Sequence, residues 1–190
     1  MLDILSVSNI INHRTLIIGE VCSGKTALTA EIVLKLIRKG LAREITIIDM
    51  APQKIFSIGG KLIEYLNDHV SKVRYLTTEI KPPRILSSSE EEALKYAQMN
   101  FRKLRSLLEE FLENPTKILV INDLSIYVHA GPYEDIDACI MAARTFIANS
   151  YYGKEINGNF PKIGFREKKY ILDLIKYVDN LIVLKKKKGC

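Results

Sequence analysis

Leu16-Ile17-Ile18-Gly19-Glu20-Val21-Cys22-Ser23-Gly24-Lys25-Thr26 is the stretch on which the fold turns. Three consecutive apolar residues run into a glycine, as in a short buried strand. Beyond Thr26, apolar residues return at helical spacing: Leu28, Ile32, Val33, Leu36 and Ile37 share one face, and Gly40 is a natural stop. The spacing predicts a helix over 25–39. A strand, a turn with two glycines and an amphipathic helix in direct succession form the opening of a βα unit.

Working outward, residues 44–50 carry Ile45, Ile47 and Ile48 and end at Asp49, which reads as a second strand. A short helix over 61–69 and a third strand over 73–78 follow. Lys81-Pro82-Pro83-Arg84 reads as a rigid extended stretch. Ser88 and Ser89 stand three residues before Glu91 and Glu92, a capping-box signature. The helix it opens runs to about residue 113, where Asn114-Pro115 stops it. Residues 117–122, with Ile118-Leu119-Val120-Ile121 uninterrupted, suit a strand covered on both faces. A helix over 134–148, a loop over 151–164, a helix over 166–177 and a strand over 181–184 complete the chain. Strands alternating with helices predict a three-layer α/β/α fold with a mainly parallel sheet. Residues 1–190 read as one domain, with 185–190 a flexible basic tail.

Gly19, Glu20, Val21, Cys22, Ser23, Gly24, Lys25 and Thr26 satisfy the spacing GxxxxGK[ST] in full. The glycines let the chain wrap closely around a phosphate. The loop amides and the positive end of the following helix supply donors to it. Lys25 is placed to reach β- and γ-phosphates, and the Thr26 hydroxyl to ligate Mg²⁺. These eight residues resemble the Walker A motif of the P-loop NTPase superfamily. The resemblance implies Mg-nucleotide binding, usually with hydrolysis or phosphoryl transfer, and points to ATP as substrate with Mg²⁺.

An apolar strand ending in an acid is the expected companion. Ile118–Ile121 followed by Asn122-Asp123 is similar to the Walker B motif, with a departure: Asn122 takes the usual Asp slot and Asp123 the next. Asp123 therefore stands as the metal-side acid, as the base that orients water, or as a turn residue. Asp49 also ends a strand and faces the ligand crevice of a doubly wound sheet. There it is a candidate base toward an acceptor hydroxyl, or a turn residue before Pro52. The phrase from Ile48 to Gln53 resembles the region after the second strand in partition-type and packaging-type ATPases. The second lysine of the partition type is absent, since position 20 is Glu.

Arg84, Arg144 and Arg166 are candidates by position for neutralising transition-state charge, against the alternative of surface or salt-bridge roles. His129 follows Asp123 closely, yet precedes Gly131-Pro132 as a turn histidine would. Cys22 sits at a helix N-terminus, where thiol pKa falls, or is merely a small side chain. Gly59-Gly60-Lys61 lacks a leading strand and reads as a turn.

The net charge of +6 admits a polyanionic partner without demanding one, the nucleotide itself being an anion. Three cysteines, Cys22, Cys139 and Cys190, fit no zinc or CxxC spacing, which suits a reducing cytoplasmic compartment. No stretch approaches the ~18 apolar residues of a membrane span. Two glutamines among many Ile, Lys and Glu lean toward a thermophilic source. Three functions follow. The first is an ATPase driving a conformational or assembly cycle, loosely similar to the RecA-like and packaging-motor branches, with nucleic acid and further copies of the chain as candidate partners. The second is a small-molecule kinase with Asp49 as base and residues 151–164 as lid. The third is a slow nucleotide switch; Asn180 and Lys185 do not form the GTPase signature NKxD, which favours ATP.

Overall fold

The computed structural model describes residues 6–54, 60–153 and 160–186. Its elements are α1 (Val7–Ile10), β1 (Arg14–Gly19), α2 (Lys25–Arg38), β2 (Ile45–Asp49), α3 (Ile63–Leu66), β3 (Arg74–Thr77), α4 (Pro83–Leu86), α5 (Glu90–Glu113), β4 (Ile118–Asn122), α6 (Ser125–Val128), α7 (Tyr133–Ala142), β5 (Thr145–Tyr151), α8 (Pro161–Ile175) and β6 (Asn180–Leu184).

The six strands form one sheet in the order β3-β2-β4-β5-β1-β6, every neighbouring pair parallel. Because side chains alternate across a strand, each strand feeds two cores. Leu16, Ile18, Ile48, Leu119, Ile121 and Phe146 face one side, where α5, α6, α7 and α8 contribute Leu104, Tyr127, Ile136 and Ile171. Ile17, Ile45, Ile47, Val120 and Ile147 face the other, beneath Ile32, Val33 and Leu36 of α2 and Leu66 of α3. Burial on both faces explains why these strands are near-continuous apolar runs. The architecture is therefore the three-layer α/β fold expected.

The long helix α5 begins as its sequence predicts. Ser89 Oγ accepts from the Glu92 amide at 3.2 Å, and the Glu92 carboxylate reaches back to the Ser88 amide at 2.8 Å. Such a cap is worth about 1 kcal/mol.

Three local expectations are corrected. The helix expected over 134–148 ends at Ala142, and Thr145–Tyr151 is instead a strand in the middle of the sheet. Arg144 and Thr145 both donate their amides to the Lys117 carbonyl, which turns the chain from helix into sheet. The loop expected over 151–164 is shorter at its end, because Pro161 opens α8 at a position where its missing N–H costs nothing; residues 154–159 of the lid reading lie outside the described residues. Pro83, likewise, starts the short helix α4 rather than continuing an extended stretch. Of the basic tail, residues 187–190 also lie outside the described set. Among the described residues no helix is long and apolar enough to cross a membrane.

Candidate functional site

At the carboxyl ends of the strands, a cavity of about 410 Å³ opens between the loop after β1 and the segments after β4 and before α5. Open parallel sheets bind ligands at this edge. The loop after β1 forms one wall, with every residue from Val21 to Ala27 lining it.

Local geometry explains the glycines. A Cβ on Gly19 would stand 2.4 Å from the Leu184 carbonyl oxygen of the neighbouring strand, so only glycine fits there. Gly24 caps α2 with φ of 90°, a left-handed conformation natural to glycine. Cys22, at φ 59°, shares that conformation without the same freedom. The loop ends at the N-terminus of α2, whose first amides have no helical partner and whose dipole favours an anion.

Lys25, the first residue of α2, folds back over the loop. Its ammonium donates to the Gly19 carbonyl at 3.0 Å and the Glu20 carbonyl at 2.7 Å. Burial draws its pKa below the ordinary lysine value, against the opposing pull of Asp123, Glu167 and Glu20. Thr26 follows on the cavity wall.

Asn122 and Asp123 take different surroundings. Asn122 is the last residue of β4 and is fully buried. Its amide donates to Asp49 Oδ1 at 2.8 Å, and its Oδ1 accepts from Asn149 Nδ2 at 2.7 Å. Asp123 follows with φ of 57°, a turn that carries its side chain to the cavity wall. Ser125 Oγ donates to its Oδ1 and Asn149 Oδ1 accepts its amide. Burial raises the Asp123 carboxyl above its ordinary value, with Glu167 adding to the rise and Ser125, Lys25 and His129 opposing it.

Asp49 does not join them. It is fully buried and does not line the cavity. Its carboxylate accepts from four donors: the amides of Ala51 and Leu62, the Tyr75 hydroxyl and the Asn122 side chain. It anchors the edge of the sheet. From it a chain of side-chain hydrogen bonds crosses three elements, through Asn122 and Asn149 to Thr29 Oγ1, which donates to the Lys25 carbonyl. The network fixes β2, β4, β5 and α2 against one another beneath the cavity.

Of the three arginines, Arg84 alone lines the cavity. Arg166 is engaged elsewhere, donating to the carbonyls of Val128 and Gly131 and lying over the Tyr133 ring. Arg144 is exposed, at the opposite end of β5. The wall facing the loop after β1 holds three residues together. Arg84 Nη2 donates to Glu167 Oε2 at 2.5 Å, and His129 Nε2 lies 3.1 Å from the same oxygen. Glu167 was not foreseen. The available signal was its position on α8, in register with Ile163, Tyr170, Ile171 and Leu174, where a charge breaks an apolar stripe. Asn149 was missed with its strand.

The donor set suits magnesium. The Thr26 hydroxyl and the Asp123 carboxylate both line the cavity and are hard oxygen ligands. Among the described residues no group of three or more His, Cys, Asp or Glu gathers to hold a metal alone. An ion here would draw its remaining ligands from outside these side chains.

A strand, a glycine-bearing loop and a helix opening on a lysine, set in a parallel α/β/α sheet, define a P-loop NTPase-like fold. By sequence the chain matches no protein-family profile and no curated protein. Among solved structures it is similar to a prototypical ATPase from the type III secretion system of pathogenic bacteria, at 17% identity and a TM-score of 0.46, over 92% of this chain and 51% of that one. The chain thus spans about half the length of that protein.

Proposed function

We propose that this chain binds Mg-ATP at the loop from Gly19 to Thr26 and hydrolyses it, coupling turnover to a conformational or assembly cycle. The observation that carries the reading is the loop itself: Gly24, Lys25 and the N-terminus of α2 converge on one cavity, with an acid on the wall beyond. The amides of the loop and the first turn of α2 hold the phosphates. Lys25 exchanges its two loop carbonyls for phosphate oxygens, regaining in charge-assisted hydrogen bonds what its burial costs. Thr26 and Asp123 would hold magnesium, which supplies positive charge to the β- and γ-phosphate oxygens when bound. The net charge of +6 admits a nucleic-acid partner for the cycle without requiring one. The alternative use of Asp49 as base toward an acceptor hydroxyl finds no support, since four donors already occupy its carboxylate.

The test is phosphate release from Mg-ATP by the wild type and by Lys25→Ala, alone and with single- or double-stranded DNA. Removing one preorganised donor to transferring charge costs about 10²–10³-fold, so Lys25→Ala is expected to lose turnover by at least that factor. Stimulation by DNA would identify the coupled partner. Tight Mg-ATP binding without turnover in any mixture would leave a nucleotide switch, and absence of ATP binding would refute the reading as a whole.

A further inference from the structure

We propose that Glu167 orients the attacking water and accepts its proton, a role that rests on the hydrolysis reading above. Glu167 is 3% exposed and sits on the apolar stripe of α8. A buried carboxylate is costly, and an apolar residue of similar volume is often no worse for stability. Its hydrogen bonding is lopsided. Arg84 and His129 both engage Oε2, while Oε1 is buried with no hydrogen-bond partner. An arginine–carboxylate pair serving the fold alone is commonly bidentate and uses both oxygens. A buried acceptor left unpaired costs about 1–3 kcal/mol, so Oε1 calls for a partner from outside the fold.

The position says what that partner is. Glu167 lines the same cavity as Lys25, Thr26 and Asp123, from the facing wall. Its charge acts on both Lys25 and Asp123, the groups assigned above to the phosphates and the metal. Asp49 and Asp123, the acids at the strand exits, are committed. Asp49 is saturated and turned away, and Asp123 bonds Ser125 beside the metal position. Arg84 and His129 are positioning residues that hold Oε2 and leave Oε1 as the unpaired acceptor. The step balances simply. The water oxygen bonds to the γ-phosphorus, and the bond from that phosphorus to the β–γ bridging oxygen breaks. Its electron pair leaves with ADP. The water proton passes to Glu167 Oε1 and then to solvent.

Glu167→Gln keeps the shape and removes the proton acceptor. Positioned general bases contribute about 10²–10⁴-fold, so kcat is expected to fall by at least about 10²-fold while the calorimetric affinity for Mg-ATP stays close to wild type. Turnover by Glu167→Gln near the wild-type rate overturns this role and leaves the ATPase reading standing. A wild type that binds Mg-ATP and releases no phosphate overturns the reading and this role with it. If Glu167→Gln does not fold, Glu167→Asp decides instead. It keeps a charge for Arg84 and His129 but withdraws the oxygen by one methylene. The same loss in kcat at unchanged affinity supports the role, and wild-type turnover overturns it.

Discussion

At the residue scale, Asp123 shows a side chain kept at a cost to the fold. Burial raises its carboxyl above the ordinary value of 3.8. A group whose folded value lies above its unfolded one supports the fold at low pH and withdraws that support as pH rises through the raised value. At neutral pH the nucleotide-free protein therefore carries a penalty that an uncharged isostere avoids. Asp123→Asn is expected to raise the Tm of the nucleotide-free protein at pH 7, with the gain shrinking as pH falls through the raised value and gone below about pH 4, where the carboxyl is neutral folded or unfolded. Asn tolerates the left-handed backbone and still accepts from Ser125. The same variant loses Mg-dependent turnover. Thermal scans across pH, beside phosphate release, check both halves. Residues of this kind divide sharply in legibility. Gly19, Gly24, Lys25 and Thr26 could be read directly, because backbone strain, close approach and phosphate chemistry each demand one residue type at one spacing. Glu167 was harder to read, because a charge in an apolar stripe signals burial without saying what it faces.

At the element scale, the strand β5 is the instructive miss. Its seven residues are all buried, so they show no alternation, and no glycine or proline separates them from α7. Helix and buried strand then differ only in which partners the amides find, and that is a tertiary fact. The boundary is made by the Lys117 carbonyl, which accepts from Arg144 and Thr145. The miss concealed Asn149, whose side chain joins three elements. Asn149→Ala leaves Asn122 Oδ1 and the Asp123 amide without their bonds. At about 1–3 kcal/mol for each buried group left unpaired, the variant is expected to lose several kcal/mol. Urea unfolding should show a lower midpoint with an unchanged slope. A loss within error would mean that water or neighbouring side chains replace the network.

At the scale of the whole molecule, a ligand that binds only the folded chain stabilises it by mass action. At a hundred times its Kd, Mg-ATP should contribute about 2.7 kcal/mol. For a chain of this size each kcal/mol moves Tm by about 2–4 °C. Wild type should therefore melt several degrees higher with the nucleotide, and Lys25→Ala should show little of the shift. Layer order and sheet direction were legible at this scale, since alternating apolar segments leave few ways to cover both faces of a sheet; the number of strands was not, because β5 reads as the end of a helix. The strand order was not, because it depends on which edges meet after the chain has crossed over.

That order has a further consequence. The strand that carries Lys25 at its exit and the strand that carries Asp123 are not neighbours; β5 lies between them. Adjacent strands stand about 4.8 Å apart, so the two exits are separated by about 9–10 Å. The span acts as a gauge set by topology, which no exchange of side chains can narrow. Through it the fold selects for chemistry as well as size. A guest that fills the span must bring polar atoms to both ends, whereas an apolar guest of equal length would strip water from a cation and an acid and offer neither a partner.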